Sequence, residues 1–158
     1  LSLKTPKMKN NANETIHPSA KERELARISE KYGVSAFYAF GSRAKEVAAL
    51  IQRKLDTLIK STADVDIAVL PDVRVALSVR EKVEIMLELG ELFCVSRMDL
   101  VILPEVDPFL AVNAIRGERI YCNDEHRADE YELYLLRRAG DLIPLERERI
   151  RLIMEEKG

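Results

Sequence analysis

Phe40-Gly41-Ser42-Arg43-Ala44, followed by Ser61-Thr62-Ala63-Asp64-Val65-Asp66-Ile67-Ala68-Val69, decides how this chain reads. Val34 to Phe40 is an apolar run rich in β-branched and aromatic residues, and it reads as a buried strand. Gly41 permits backbone angles and close approach that a side chain would block. Ser42 adds a hydroxyl just before a helical pattern. Backbone N–H groups at a helix start, with the positive end of its dipole, suit a phosphate. Ordinary Ser capping of a strand–turn–helix corner would produce the same residues without any ligand.

Asp64 to Leu70 reads as a second strand. Alternation puts Asp64, Asp66 and Ala68 on one face and Val65, Ile67 and Val69 on the other. Two carboxylates on one face raise each other's pKa, so a cation belongs between them. Magnesium takes oxygen ligands and bridges carboxylates to phosphates. A strand edge that starts in solvent would carry the same two acids without a metal. A third acid bears on the choice. Asp99 sits inside the apolar run Arg97-Met98-Asp99-Leu100-Val101-Ile102-Leu103. Asp rarely enters a buried strand without a partner. If the two strands are neighbours, Asp99 completes a three-carboxylate cluster of the kind a two-metal clamp needs, with ions roughly 3.5–4 Å apart. The plainer alternative is an edge salt bridge between Asp99 and Arg97.

Gly41-Ser42, Asp64-x-Asp66 and the lone Asp99 on a later strand together resemble the nucleotidyltransferase superfamily of DNA polymerase β. Within it they resemble the minimal nucleotidyltransferases often encoded beside a HEPN-domain partner. The resemblance covers about residues 30–122. Tyr131-Glu132, Arg137 and Asp141-Leu142-Ile143-Pro144 look like endings common in that family. It implies an α/β (α+β) polymerase-β-type nucleotidyltransferase domain: a small mixed sheet flanked by helices, with extra C-terminal helices. It implies a Mg2+-dependent enzyme, with two ions, that moves AMP from ATP to a hydroxyl. Asp64, Asp66 and Asp99 would be the catalytic and metal-holding residues. Gly41, Ser42 and Arg43 would bind the nucleotide. By the same resemblance the acceptor is a tyrosine of a HEPN ribonuclease toxin, and the chain is its antitoxin. One departure is the spacer: 21 residues separate Ser42 from Asp64, longer than the minimal pattern. The excess reads as a lengthened helix. No Arg-x4-6-His signature of a HEPN domain stands out in the chain, so that partner would be separate. The rival readings are an antibiotic nucleotidyltransferase, for which 158 residues leave little room, and a non-catalytic module that neutralises a partner by contact.

Composition bounds these readings. The chain is 47% hydrophobic and 33% charged, as a globular domain is. No window approaches a membrane span, and the start lacks the apolar core of a signal peptide. Cys94 and Cys122 stand alone, which excludes a disulfide scaffold or a metal knuckle and makes a reducing cytoplasm the default. The net charge of −2 argues against a general nucleic-acid binder. The charge is uneven. Residues 1–60 carry twelve Lys/Arg against six Asp/Glu, and residues 61–158 carry thirteen against twenty-one. That polarity fits a triphosphate held between the Gly-Ser turn and metal-bearing acids, although charged helix faces alone could produce it.

In chain order, residues 1–17 read as a disordered start, with Met8 a candidate natural first residue after residues 1–7. Residues 18–122 form the nucleotidyltransferase domain, and 123–158 a helical extension. Ser19 and Glu22 make a capping box for a helix that stops at Gly33. An amphipathic helix is expected over 43–60, with Val47, Ala48, Ile51, Leu55, Leu58 and Ile59 inward. A long helix over 74–94 should bury Val75, Val79, Val83, Met86, Leu87, Gly90 and Phe93. A short helix over 108–116 and an edge strand over 118–122 follow. Two charged helices, 125–139 and 144–157, close the chain. Their Tyr131, Tyr134, Leu135, Leu142, Leu145, Ile150, Leu152 and Ile153 would pack on the domain, on a partner, or on a second copy. The element order points to a two-layer α/β domain.

Overall fold

A computed structural model describes residues 17–157. The expected disordered start lies outside them, save for His17. The elements are α1 (Ala20–Tyr32), β1 (Val34–Phe40), α2 (Ala44–Ile51), β2 (Val65–Pro71), α3 (Val79–Phe93), β3 (Met98–Ile102), α4 (Pro108–Ile115), β4 (Glu118–Cys122) and α5 (Glu125–Glu156), with 3-10 turns at Gly41–Arg43 and Leu103–Glu105. The four strands make one mixed sheet in the order β3-β2-β1-β4. β2 and β3 run parallel, and the other pairs are antiparallel. β4 is an edge strand, as its sequence implies.

β1 is buried along its whole length. Phe37 and Ala39 face a core shared with α1, α2 and α3, while Ala36, Tyr38 and Phe40 face a second core built by α4 and α5. Helices therefore cover both faces of the sheet, where two layers were expected. A strand apolar on both faces cannot leave one of them in water. Each fully buried large side chain here, such as Phe37 or Ile67, contributes about 1.5–3 kcal/mol.

α1 begins at the Ser19–Glu22 capping box and ends on Gly33 in the left-handed conformation, as its sequence predicts. The second expected helix does not run to residue 60. α2 stops at Ile51, and Arg53 takes a left-handed turn with φ of 61°. Residues 52–64 are irregular, Leu55 and Leu58 are half-buried, and Ile59 lies exposed. The apolar spacing continues there, but tertiary hydrogen bonds described below take the chain out of the helix.

α3 is also shorter than expected. It starts at a capping box of Ser78 and Glu81 and turns Ile85, Leu89 and Phe93 inward. Of the expected stripe, Phe93 is buried, while Val75, Val79, Val83 and Leu87 are exposed. Two stripes of similar apolarity run along this helix, and the one through Ile85, Leu89 and Phe93 meets the core.

The two expected tail helices are one. α5 continues through Pro144. Proline lacks an N–H and crowds the carbonyl four residues back, here that of Gly140, but both residues are exposed and water can serve that carbonyl. Ala128, Leu135 and Ala139 pack on the domain; Ile143, Leu145, Ile150, Leu152 and Ile153 do not. The packed half is fastened by a buried hydroxyl. Tyr38 Oη donates to Glu132 at 2.8 Å, and Arg119 donates to Glu132 and to Asp129, each at 2.6 Å. Burial raises the Tyr38 pKa, and the bond to Glu132 raises it further.

Candidate active site

The turn and the acids meet at one end of the sheet. In the parallel pair, Asp66 stands directly opposite Asp99. In the antiparallel pair, Asp66 stands opposite Phe40, the residue before Gly41. The neighbour relation assumed for the two acidic strands therefore holds. The expected burial of the third acid does not: β3 is an edge strand, and Asp99 is exposed rather than sunk in a buried strand.

Gly41 has φ of 73°. A Cβ placed there would lie 2.3 Å from Asp66 Oδ2. Only glycine lets the turn close against that carboxylate. Ser42, the next residue, is exposed at the same end. Asp66 is half-buried, and its pKa is raised, first by burial and then by the charges of Asp99 and Asp64.

Asp64 has Arg97 beside it, with Arg97 Nε 2.8 Å from Asp64 Oδ1. The contact is an ion pair without hydrogen-bond alignment, and this buried oxygen has no hydrogen bond at all. Arg97 thus pairs with Asp64, not with Asp99. The donor set suits a hard divalent cation: three carboxylates at neighbouring positions, one buried oxygen with an ion pair but no hydrogen bond, and one acid held above its usual pKa by burial and by the other two. The set is not drawn together. Among the described residues no group of three or more His, Cys, Asp or Glu side chains is placed to hold a metal ion.

Arg43 is turned inward, with its side chain only 7% exposed. It bonds to Glu46 and to the carbonyls of Ile59 and Ala63. The reading of Arg43 as a nucleotide contact thus meets a guanidinium already engaged within the protein. Glu46 escaped the sequence reading, although its position three residues after Arg43 on a helix is a visible signal. Arg97 escaped it as the counter-ion of Asp64. Beside Asp64, residues 58–63 and 94–97 enclose a cleft of about 530 Å3 that also touches Arg43. Cys94 on its rim and Cys122 on β4 are both free thiols.

Residues 23–126 match the Polymerase beta, Nucleotidyltransferase family. The chain belongs to this family. The match agrees with the span over which the nucleotidyltransferase resemblance was read. No curated protein matches the chain in sequence. Solved structures share the nucleotidyltransferase fold. A toxin–antitoxin structure with AMP-PNP has a chain 16% identical, with a TM-score of 0.64 over 84% of this chain and 98% of that one. The tri-AMPylated Shewanella oneidensis HEPN toxin in complex with MNT antitoxin has one that is 16% identical, with a TM-score of 0.60 over 85% and 96%. The MntA-HepT toxin–antitoxin structure has one that is 15% identical, with a TM-score of 0.60 over 85% and 97%. At such identity the likeness is one of fold. No helix among the described residues of this nucleotidyltransferase is long and apolar enough to cross a membrane.

Proposed function

We propose that this nucleotidyltransferase moves AMP from ATP to a tyrosine hydroxyl of a HEPN ribonuclease toxin, and so acts as its antitoxin in the cytoplasm. The observation that carries the reading is the register that sets Asp66 beside Asp99 with Gly41 closed against Asp66. The neighbours support it in kind: one is a tri-AMPylated HEPN toxin in complex with its MNT antitoxin, and another a toxin–antitoxin structure with AMP-PNP.

In this reading Gly41 and Ser42 seat the β and γ phosphates through backbone N–H groups and the Ser42 hydroxyl. Asp64, Asp66 and Asp99 would hold Mg2+, two ions in the full site, which neutralises phosphate charge and lowers the acceptor hydroxyl's pKa when bound. Asp99, at the exposed edge, is the proton acceptor that the incoming hydroxyl can reach. The acceptor oxygen bonds to the α-phosphorus, the bond from that phosphorus to the bridging oxygen breaks, and pyrophosphate leaves. The chain's part is to position groups and neutralise charge. Residues 18–122 carry this chemistry. Residues 123–158 extend from it, and their exposed outer half is a surface for the toxin.

Label transfer tests the proposal. The protein, Mg2+ and α-labelled ATP are mixed with the product of an adjacent HEPN gene, beside Asp64→Asn and Asp66→Asn controls. Label on the toxin, lost in both controls, is the expected result. No label with the two proteins still co-purifying would replace transfer with neutralisation by contact, the reading that the exposed apolar residues of outer α5 favour.

A further inference from the structure

The irregular segment 52–64 has one internal anchor of note. Arg43 Nη2 donates to the Ile59 carbonyl at 2.6 Å, and Nη1 donates to the Ala63 carbonyl at 3.4 Å. Glu46 accepts two hydrogen bonds from the same guanidinium, at 3.0 and 3.1 Å, and one from the Ile59 N–H at 2.5 Å. Both ends of the segment's exposed stretch are thus tied to the first turn after Gly41-Ser42. Arg43 is 6% exposed overall, so the fork is shielded from water; its bonds to Glu46 and to the Ile59 carbonyl are charge-assisted and of ordinary length, and the one to the Ala63 carbonyl is long. The segment's other foothold is apolar: Leu55 and Leu58 are half-buried, with Leu58 against the core, while residues 56, 57 and 59–62 are exposed. Ala63 leads directly into Asp64, whose buried Oδ1 has Arg97 Nε beside it at 2.8 Å but no hydrogen bond.

We propose that Arg43 and Glu46 are positioning residues: one ion pair between a buried guanidinium and a half-buried carboxylate fixes segment 52–64 and, through Ala63, the seat of Asp64. The phosphate turn and the acidic strand, 21 residues apart in sequence, are then set in register by a side chain whose donors are engaged within the protein. The same pair holds up the 58–63 wall of the cleft beside Asp64. The proposal rests on the reading of Asp64 as a site carboxylate. It assigns the long spacer a role, as a wall clamped back onto the turn that precedes it.

Three variants test it: Arg43→Lys, which keeps the charge but loses the fork; Glu46→Gln; and Ile59→Pro, which removes the donor to Glu46 at an exposed residue. The first readout is trypsin nicking at Arg53, Lys54 and Lys60, which are all exposed, mapped by mass spectrometry. The expected result is nicking at least about tenfold faster in all three variants, confined to that segment. The second is Mn2+ affinity by calorimetry, expected to weaken by about 10–100-fold as it does when groups behind metal ligands are lost. In the transfer assay kcat should fall while KM for ATP stays within about threefold. Unchanged nicking and Mn2+ affinity with a raised KM for ATP would overturn the proposal and return Arg43 to direct phosphate contact. If Arg43→Lys loses its helical circular dichroism, Ile59→Pro decides by the same readouts. Wild-type protein that binds Mn2+ but transfers no AMP would sink the functional reading, and nicking and Mn2+ affinity would still judge the clamp.

Discussion

Two groups of acids, one on the ridge between α1 and α3 and one at the ends of β2 and β3, are treated in opposite ways by the fold. On the ridge, Glu88 receives Arg27 and Lys31 at 2.6 Å and the Tyr32 hydroxyl at 2.7 Å. Burial pushes the Glu88 pKa up, but the bonds from Lys31, Tyr32 and Arg27 outweigh it and hold the carboxyl at about 2. At the strand ends, Asp66 faces Asp99 and Asp64, and burial and both charges push its pKa up. The ridge acids help hold two helices together. Asp66 works against the fold that presents it, and such an environment is characteristic of ligand sites.

The sharpest way to break this contrast is Asp66→Asn. AMP transfer should fall by at least about a hundredfold, since metal-assisted charge neutralisation is worth several kcal/mol. The same variant should melt a few degrees higher than wild type in divalent-free buffer at pH 7, because a crowded charge is gone. The sign follows from linkage. A carboxylate whose folded pKa is raised costs stability above that pKa, and the cost fades as pH falls towards its unfolded value of 3.8. The gain in melting temperature should shrink over the same range. A lower melting temperature at pH 7 would show that Asp66 holds the fold together rather than straining it.

Glu132→Ala comes next in size, since it strips a buried tyrosine of its partner. Tyr38 would keep a hydroxyl in the core with no acceptor, and Arg119 would keep only Asp129. Denaturant unfolding should show a loss of about 2 kcal/mol. If stability holds, α5 is fastened by its apolar residues alone. The smallest effect is on the ridge. Glu88→Gln should cost within about 1 kcal/mol at pH 7, because its cations are half-exposed. Glu88 has a depressed folded pKa, so its contribution is full above its unfolded value of 4.5 and is lost as pH falls through about 2. Wild type and variant should therefore converge in acid. Curves that stay parallel from pH 6 to pH 2 would deny Glu88 this role.

Much of this architecture was legible in the chain. The capping box at Ser19 and Glu22, the all-apolar run of β1 and the lone acids of β2 and β3 each carry a local signal that the fold respects. The errors have separate causes. The apolar spacing of 43–60 is compatible with helix, yet Arg43 and Glu46 draw Ile59 and Ala63 back to the turn. The valines of α3 and its buried Ile85–Leu89–Phe93 stripe are equally apolar, so periodicity alone could not choose between them. The Ser78–Glu81 box that begins the helix did carry usable information, and it agrees with the observed boundary. That Asp99 stands beside Asp66 was a condition of the three-carboxylate cluster and not a deduction, and the burial expected of its strand fails, since β3 is an edge and Asp99 is exposed.

What the sequence determined by itself is the part governed by neighbours in the chain: where α1 begins and ends, which runs are strands, and which acids share a strand face. Those follow from caps, alternation and backbone freedom, all of which act over a few residues. Tertiary structure alone decided which strands lie side by side, that helices cover both faces of the sheet, and that Arg43 turns inward. It also decided that Tyr38, Arg119 and Glu132 fasten α5 to the sheet. These depend on groups 13 to 94 residues apart meeting in a water-poor space, where a charge or hydroxyl must find a partner.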